Sequence, residues 1–280
     1  MSGDAKPRSV RARMLSLMVK IASWNVNSVR ARLPNVLAWT RDAAPDVLLL
    51  QELKCEADAF PALEFEELGY NLAVVGQKTY NGVAILSKSA IEIDHRKLPG
   101  GDGDDQARYV EGFTSGVRVA SIYLPNGNPI SDAGQRTDKF AYKLAWLERL
   151  YRHVRDLLAT EDAFVLGGDF NVIPEPIDVH DPEGWDKDAL YHVDSRAAFR
   201  KLMFLGLTDA FRARHGHAQR YTWWDYRSGA WAKDQGARID HLLLSPQAAD
   251  QLAACDIDRR PRGLDKASDH TPIWCELGDR

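Results

Sequence analysis

Five short polar clusters stand at the ends of apolar runs in this chain. Asn25 and Asn27 follow the run 19–24, and Gln51 and Glu52 follow the run 47–50. Asp169-Phe170-Asn171 follows 163–168, Arg238-Ile239-Asp240 opens a late apolar run, and Ser268-Asp269-His270 precedes the last one. Loops at the ends of rigid strands are where chemistry is commonly placed. If these ends converge, one site holds Glu52, Asp169, Asp240, Asp269, Asn25, Asn171 and His270. Such a set is rich in oxygen and has one imidazole, so it suits a hard divalent cation, Mg²⁺ or Mn²⁺, better than zinc. Hydrolysis of a phosphate ester needs a polarised phosphoryl oxygen, an activated water and relief of leaving-group charge. A carboxylate-held cation, a carboxylate or imidazole base and carboxamide donors supply these three. Taken singly, Asp and Asn at strand ends are ordinary turn formers, and a His beside an Asp is commonly a surface pair. The shared chemistry of five clusters is what sets them apart.

The elements that must position these groups alternate along the chain. Val19 to Trp24 reads as a strand, and Leu33, Val36, Leu37 and Thr40 follow at helical spacing with Pro34 in the first turn. The run 47–50 reads as a strand buried on both faces. Further strands are expected at 82–87, 117–123 and 163–168, with a turn over 100–105. The longest helix is expected at 136–159, with Phe140, Leu144, Leu147, Tyr151, Val154 and Leu158 as its apolar stripe. A shorter helix carries Ala198, Phe199, Leu202 and Met203 and ends at Gly206. Strands at 238–245 and 271–277 close the chain. Several strands follow one another without helices, which favours mixed sheets packed in layers over a purely parallel doubly wound sheet. Asp169 and Asn171, two residues apart at a strand end, are expected to project to one face.

The chain has 280 residues, 45% hydrophobic and 27% charged, enough for a sizeable core and too apolar for a disordered chain. Its net charge of −4 excludes a uniformly basic nucleic-acid coat but leaves room for a local basic groove. Cys55, Cys255 and Cys275 are widely spaced and odd in number, which fits a reducing compartment and argues against a cysteine-ligated zinc site. No apolar run approaches the ~18 residues of a membrane span. Residues 1–18, with Lys6, Arg8, Arg11 and Arg13, read as a disordered basic extension lacking the features of a secretory signal. The remainder, 19–280, reads as a single domain, because no linker divides it.

With these stretches in hand the chain resembles the exonuclease III branch of the deoxyribonuclease-I-like endonuclease/exonuclease/phosphatase superfamily, the AP endonucleases. The matching segments are 23–32 (SWNVNSVRAR), 50–54 (LQELK), 80–87 (YNGVAILS), 123–127 (YLPNG), 168–172 (GDFNV), 221–227 (YTWWDYR), 238–240 (RID) and 268–272 (SDHTP), in family order across nearly the whole chain. The resemblance implies a four-layer α/β sandwich with two central mixed β-sheets flanked by helices. It implies metal-dependent hydrolysis of DNA phosphodiesters in base excision repair, as 3′→5′ exonuclease on duplex DNA and by cleavage 5′ to abasic sites. The cofactor implied is Mg²⁺, with Mn²⁺ as a substitute. The partner implied is double-stranded DNA, abasic or with 3′-recessed ends, bound by a monomer in the cytoplasm. Glu52 matches the principal metal carboxylate, with Asn25 beside it, and Asp269 matches either a ligand or a partner to His270. Asp169 matches the group that orients or deprotonates the water, Asn171 a phosphate-orienting donor, and Tyr123 a phenol near the scissile phosphate. His270, held by Asp240, matches an imidazole acting either as base or as phosphate contact. Asp169, Asn171 and His270 also belong to the metal-binding set that the resemblance implies.

Three of the eight tryptophans, Trp223, Trp224 and Trp231, lie close together with Tyr226, Arg227 and Lys233. Aromatics beside cations suit a surface that stacks on an exposed base or sugar and holds phosphates; a hydrophobic clamp at the sandwich edge is the alternative. The resemblance favours Trp223 or Trp224 as lining of an abasic pocket, with Asn126 and Arg227 as further DNA contacts. Arg108, Arg136 and Lys139 are weaker candidates. The segment 177–191, carrying Asp178, Asp181, Glu183, Asp186 and Asp188, is unusually acidic for a surface near DNA. The rival readings are a small-molecule phosphatase on the same fold and a binding module without activity.

Overall fold

Apolar strand after apolar strand folds into two six-stranded sheets of the same design. The structure, a computed structural model, describes residues 18–278. In spatial order the first sheet runs β13 (Leu252–Ile257), β14 (Ile273–Leu277), β1 (Val19–Asn25), β2 (Val47–Gln51), β4 (Val83–Ser87) and β3 (Asn71–Val75). The second runs β11 (Thr208–Asp209), β12 (Asp240–Leu244), β10 (Phe164–Asp169), β7 (Val117–Tyr123), β6 (Tyr109–Thr114) and β5 (Glu92–His95). A small ribbon pairs β8 (Ser131–Asp132) with β9 (Gln135–Arg136). Each large sheet contains one parallel pair at its centre, β1 with β2 and β7 with β10, among antiparallel neighbours.

Side chains alternate across each strand, and this sorts the apolar residues into layers. Ile21, Val47, Leu49 and Ile85 of the first sheet meet Val119, Val165, Leu242 and Leu244 of the second in the central core. On the other face of the first sheet, Ala22, Trp24, Leu48 and Leu50 pack under α1 (Leu33–Ala43) and α2 (Ala62–Glu66) through Val36, Trp39 and Phe65. On the other face of the second, Ile122, Phe164 and Leu166 pack under α3 (Asp138–Leu158) and α4 (Val193–Met203) through Trp146, Leu150, Phe199 and Leu202. The result is the four-layer sandwich. Two short helices, α5 (Ala210–His215) and α6 (Pro246–Asp250), flank the edge beside β12. The basic extension expected over 1–18 lies, except for Met18, outside the described residues. Among the described residues no helix is long and apolar enough to cross a membrane, and all three cysteines are buried free thiols.

Several boundaries differ from those read in the sequence. The strands β3, β5, β6 and β13 have no counterpart in that reading; β5 is short and mostly exposed, so it carries no apolar signature. α4 begins at Val193, ahead of the expected stripe. In α3 the buried face is Phe140, Lys143, Trp146, Leu147, Leu150, Val154 and Leu157, so the helix is turned relative to the expected stripe, and Leu144, Tyr151 and Leu158 lie at its margin.

Backbone and side chains approach closely near the ends of the parallel pairs, between the sheets at Gly167 and within the second sheet at Gly168. A Cβ on Gly167 would lie 2.6 Å from Leu49 of the opposite sheet, and one on Gly168 would lie 1.9 Å from the carbonyl oxygen of Ile122. Only glycine permits both approaches. Beneath the strand ends, Gln51 Nε2 donates to Ser23 Oγ (3.2 Å) and across the interface to Ser121 Oγ (3.0 Å), and Ser121 Oγ donates to the Leu50 carbonyl (2.9 Å). This buried polar bridge locks one parallel pair over the other.

Candidate active site

The carboxyl ends of the two parallel pairs point to the same edge of the sandwich. Register places Asn25 beside Gln51 in the first sheet. In the second it places Asp169 between Tyr123 and Asp240. Glu52 and Asn171 each stand one or two residues past a strand end with left-handed backbones, φ 52° and 48°. For Glu52 that conformation costs about 1–2 kcal/mol, and it turns the side chain back over the strand ends. Asn171 therefore does not reach the site by strand alternation, as the two-residue spacing implied. β10 ends at Asp169, and Asn171 is held by a tight turn in which its own N–H donates to Asp169 Oδ1 (2.8 Å).

At the centre, Asn25 Nδ2 donates to both Glu52 Oε1 (2.8 Å) and Asp169 Oδ2 (2.9 Å), holding the two carboxylates on either side of one amide. Glu52 Oε2 pairs with Lys54 Nζ at 2.8 Å. Ligand atoms of Glu52, Asp169 and His270 all lie within 4.8 Å of one another. His270 Nδ1 hydrogen-bonds Asp240 Oδ2 (2.8 Å), and its Nε2 lies 3.8 Å from Asp169 Oδ2. Asp240 is fully buried and its Oδ1 has no hydrogen-bond partner.

Electrostatics divide the labour. Burial pushes the Asp169 carboxyl up to about 7; His270 opposes this, while Asp240 and Glu52 reinforce it. Burial works against a charged His270, but Asp240 and Asp169 outweigh it and raise the imidazole to about 10. The Tyr123 phenol is driven well above its ordinary value by burial and by the Glu52 and Asp169 carboxylates, so it remains a donor. An acid crowded by two others in a buried setting is the environment that a divalent cation relieves. The carboxylate oxygens of Glu52 and Asp169 fit a hard cation.

The other expected residues sit around this centre. Asn171 Nδ2 donates to the Leu124 carbonyl (2.9 Å), and its Oδ1 accepts from Asn126 Nδ2 (3.2 Å), so both amides shape the loop after β7. Asp269 is taken up at both oxygens, by Asn27 Nδ2 (2.8 Å) and Trp223 Nε1 (3.0 Å), and is not part of the tight cluster. Trp223 is half-buried at the rim, bridged to His270 through the backbone. Trp224 is a correction: its ring is wholly buried against Tyr221, Ala230 and Trp231, with Nε1 on Asp234 (3.0 Å), so it offers no face to a base. The clamp reading holds for it. Arg227 projects from an exposed loop and pairs with Asp225 at 2.8 Å. Asp178 is a second correction. It does not face a DNA surface but is fully buried, and its Oδ1 accepts from Arg238 Nε (2.7 Å) and from Arg212.

One group was absent from the list read in the sequence. Lys143 is wholly buried, burial lowers its amine to about 7, and Nζ donates to the carbonyls of Asn126 (3.0 Å) and Asn171 (2.5 Å). A lysine one turn after Phe140, within the apolar stripe of α3, was its only trace in the sequence. Arg108, one of the weaker candidates for a phosphate contact, stacks its guanidinium over Tyr123 (4.8 Å) and donates to that residue's carbonyl (3.2 Å), so it is not simply a solvated charge.

Comparison with known proteins agrees with this geometry. Residues 22–270 match the model of the Endonuclease/Exonuclease/phosphatase family. The exodeoxyribonuclease III of Haemophilus influenzae is 31% identical over 274 residues, covering 92% of this chain and 100% of that one. An AP endonuclease from Archaeoglobus fulgidus superposes with a TM-score of 0.87 at 37% identity, covering 94% of this chain and 100% of that one. A 3′ phosphatase from Neisseria, solved bound to a product DNA hairpin, gives 0.88 at 41% identity, covering 92% and 99%. With the sandwich, the carboxylate cluster and the Asp–His pair all in place, the chain belongs to the endonuclease/exonuclease/phosphatase family, in its exodeoxyribonuclease III and AP endonuclease branch, the DNA-repair nucleases of this fold.

Proposed function

We propose that this enzyme hydrolyses phosphodiesters of double-stranded DNA as a 3′→5′ exonuclease and 5′ to abasic sites, with Mg²⁺ as its working cation and Mn²⁺ as a substitute, acting as a monomeric domain over 19–280. The observation that carries the reading is the cluster of Glu52, Asp169 and His270 at the meeting of both parallel pairs. Glu52 would hold the cation with Asn25 beside it, and the bound ion supplies charge neutralisation at the phosphate. Asp169, buried beside Glu52 and held by Asn25, orients the water and takes its proton. His270, its Nδ1 held on Asp240 and its imidazole raised by Asp240 and Asp169, serves as a donor to the phosphate. Tyr123, a neutral phenol, is a second donor. Asn171 has spent one N–H on Leu124 and offers the other. Trp223 at the rim supports an abasic pocket wall, and Asn126 and Arg227 lie on loops that reach a duplex.

The test is cleavage of a labelled duplex carrying one abasic-site analogue, run beside a recessed-end duplex and a duplex ending in a 3′ phosphate, with Mg²⁺ and with Mn²⁺. The third substrate enters because the 41%-identical Neisseria relative is named a 3′ phosphatase. Turnover of small phosphate esters in preference to all three duplexes would return the protein to the small-molecule phosphatases. Glu52→Gln removes the anionic ligand, so cation affinity and rate are expected to fall together while the fold survives; unchanged affinity and rate would remove Glu52 from the metal site.

A further inference from the structure

Outside the active site, a second group of metal-competent side chains converges on the outer face of the second sheet. His95 ends β5, the edge strand, and register sets it directly opposite Glu111 of β6. The pairing slips between Ile93 and His95. Directly opposed residues share a face, so the slip brings the His95 ring to the Glu111 side. His153 reaches the same point from α3, its Nε2 2.6 Å from Glu111 Oε2. Ligand atoms of the three residues all lie within 4.8 Å of one another. Glu111 is 1% exposed, whereas His95 is exposed, so the group is closed on the protein side and open on the other.

We propose that His95, Glu111 and His153 form a non-catalytic site for a divalent transition metal of the zinc class, with water as the fourth ligand. Two imidazoles and one carboxylate are the donor set of a borderline-soft ion and not of Mg²⁺. Bonds of about 2.0–2.1 Å in a tetrahedron separate ligand atoms by about 3.3 Å. The Glu111–His153 pair therefore has to open by less than about 1 Å, and the metal takes the place of the hydrogen now between them. His153 then carries its proton on Nδ1. The carboxylate is already oriented from behind, by the Tyr109 hydroxyl on Oε2 and by Arg118 on Oε1 (3.2 Å), the kind of outer support that fixes a ligand. Asp94, on the Arg118 guanidinium, adds negative charge nearby. The metal would tie the edge strand β5 to helix α3 and leave the catalytic cluster untouched.

The experiment uses the full chain stripped with EDTA, then dialysed against Zn²⁺ in a large excess of Mg²⁺, with Co²⁺ as a spectroscopic probe. The expected result is one Zn²⁺ per chain, a tetrahedral Co²⁺ absorption and a raised melting temperature. The exposed His95→Asn is expected to fold normally and to weaken Zn²⁺ binding by more than the ~10–100-fold cost of losing an outer-shell partner. Glu52→Gln is expected to bind Zn²⁺ as wild type does. Zn²⁺ uptake lost in Glu52→Gln and retained in His95→Asn would place the ion in the catalytic cluster and overturn the proposal, as would no uptake by the wild type.

Discussion

Asp169 and His270 carry two related but unequal burdens. Both are buried, yet burial and neighbouring acids raise Asp169 to about 7, while Asp240 and Asp169 raise His270 to about 10. In the proposed mechanism the base is the carboxylate. Asp169→Asn keeps the amide-like shape and removes the base, so single-turnover cleavage is expected to fall about 10²–10⁴-fold. Equilibrium binding to an abasic duplex should hold or tighten, because a charge that repels phosphate is gone. A near-normal rate at saturating protein would pass the water to His270. Lys143 acts one step away, through the carbonyls of Asn126 and Asn171. Lys143→Met is expected to lower the rate about 10–100-fold, the ~1.5–3 kcal/mol of a charged hydrogen bond expressed as a barrier. Lys143→Arg should not restore it, since Gly127 packs directly on the lysine stem. A loss confined to KM in Lys143→Met would show that the loop positions DNA and not the reacting groups.

Behind the site, β12 rests on a buried ionic layer. Arg238 bonds Asp178 (2.7 Å) and Asp209 (2.7 Å), and its NH1 donates to His241 Nδ1 (3.0 Å). His241 Nε2 donates to the Val172 carbonyl (3.0 Å), so the ring is neutral with its proton on Nε2. Burial, then Arg238, depress it to about 4. A histidine lowered in the fold and ordinary when unfolded leaves the unfolded chain binding the extra proton between about pH 6.5 and 4, so stability falls with pH across that window. From this group alone the loss between pH 7 and pH 5 is about 2 kcal/mol. Urea denaturation of wild type and His241→Gln at both values checks it, the variant being expected to lose less on acidification. Equal losses would mean that His241 does not titrate in this range.

The whole molecule has a net charge of −4, and the active-site edge gathers carboxylates. DNA must therefore be held by local cations against an unfavourable mean field. Affinity for duplex is expected to fall steeply with salt, because phosphate contacts release counterions. A flat response between low and moderate salt would show that no such groove exists. Trp223 and Trp224 separate at the same scale. Trp223→Ala should weaken binding to abasic duplex more than to intact duplex, whereas Trp224→Ala empties a core position and should lower stability by about 3–5 kcal/mol.

The sequence by itself determined the chemistry and most of the elements that bear it. Apolar runs of strand length, each ended by an Asn, Gln, Glu or Asp, are local patterns, and local patterns survive without tertiary context. Glu52, Asp169 and His270 were therefore legible as a set. Tertiary structure decided what no local pattern encodes. Edge strands such as β5 gain their identity only from the neighbour they pair with, so β5 left no trace in the sequence. The difference between Trp223 at the rim and Trp224 in the core is a matter of which side of one backbone faces the sandwich. Lys143 looks like a solvated charge until α3 is seen to be turned toward the sheet. Asp178 reads as surface acid until Arg238 arrives from sixty residues away. For Lys143 and Asp178 the deciding contacts lie 17 to 60 residues away in the chain, and only the tertiary fold brings them near.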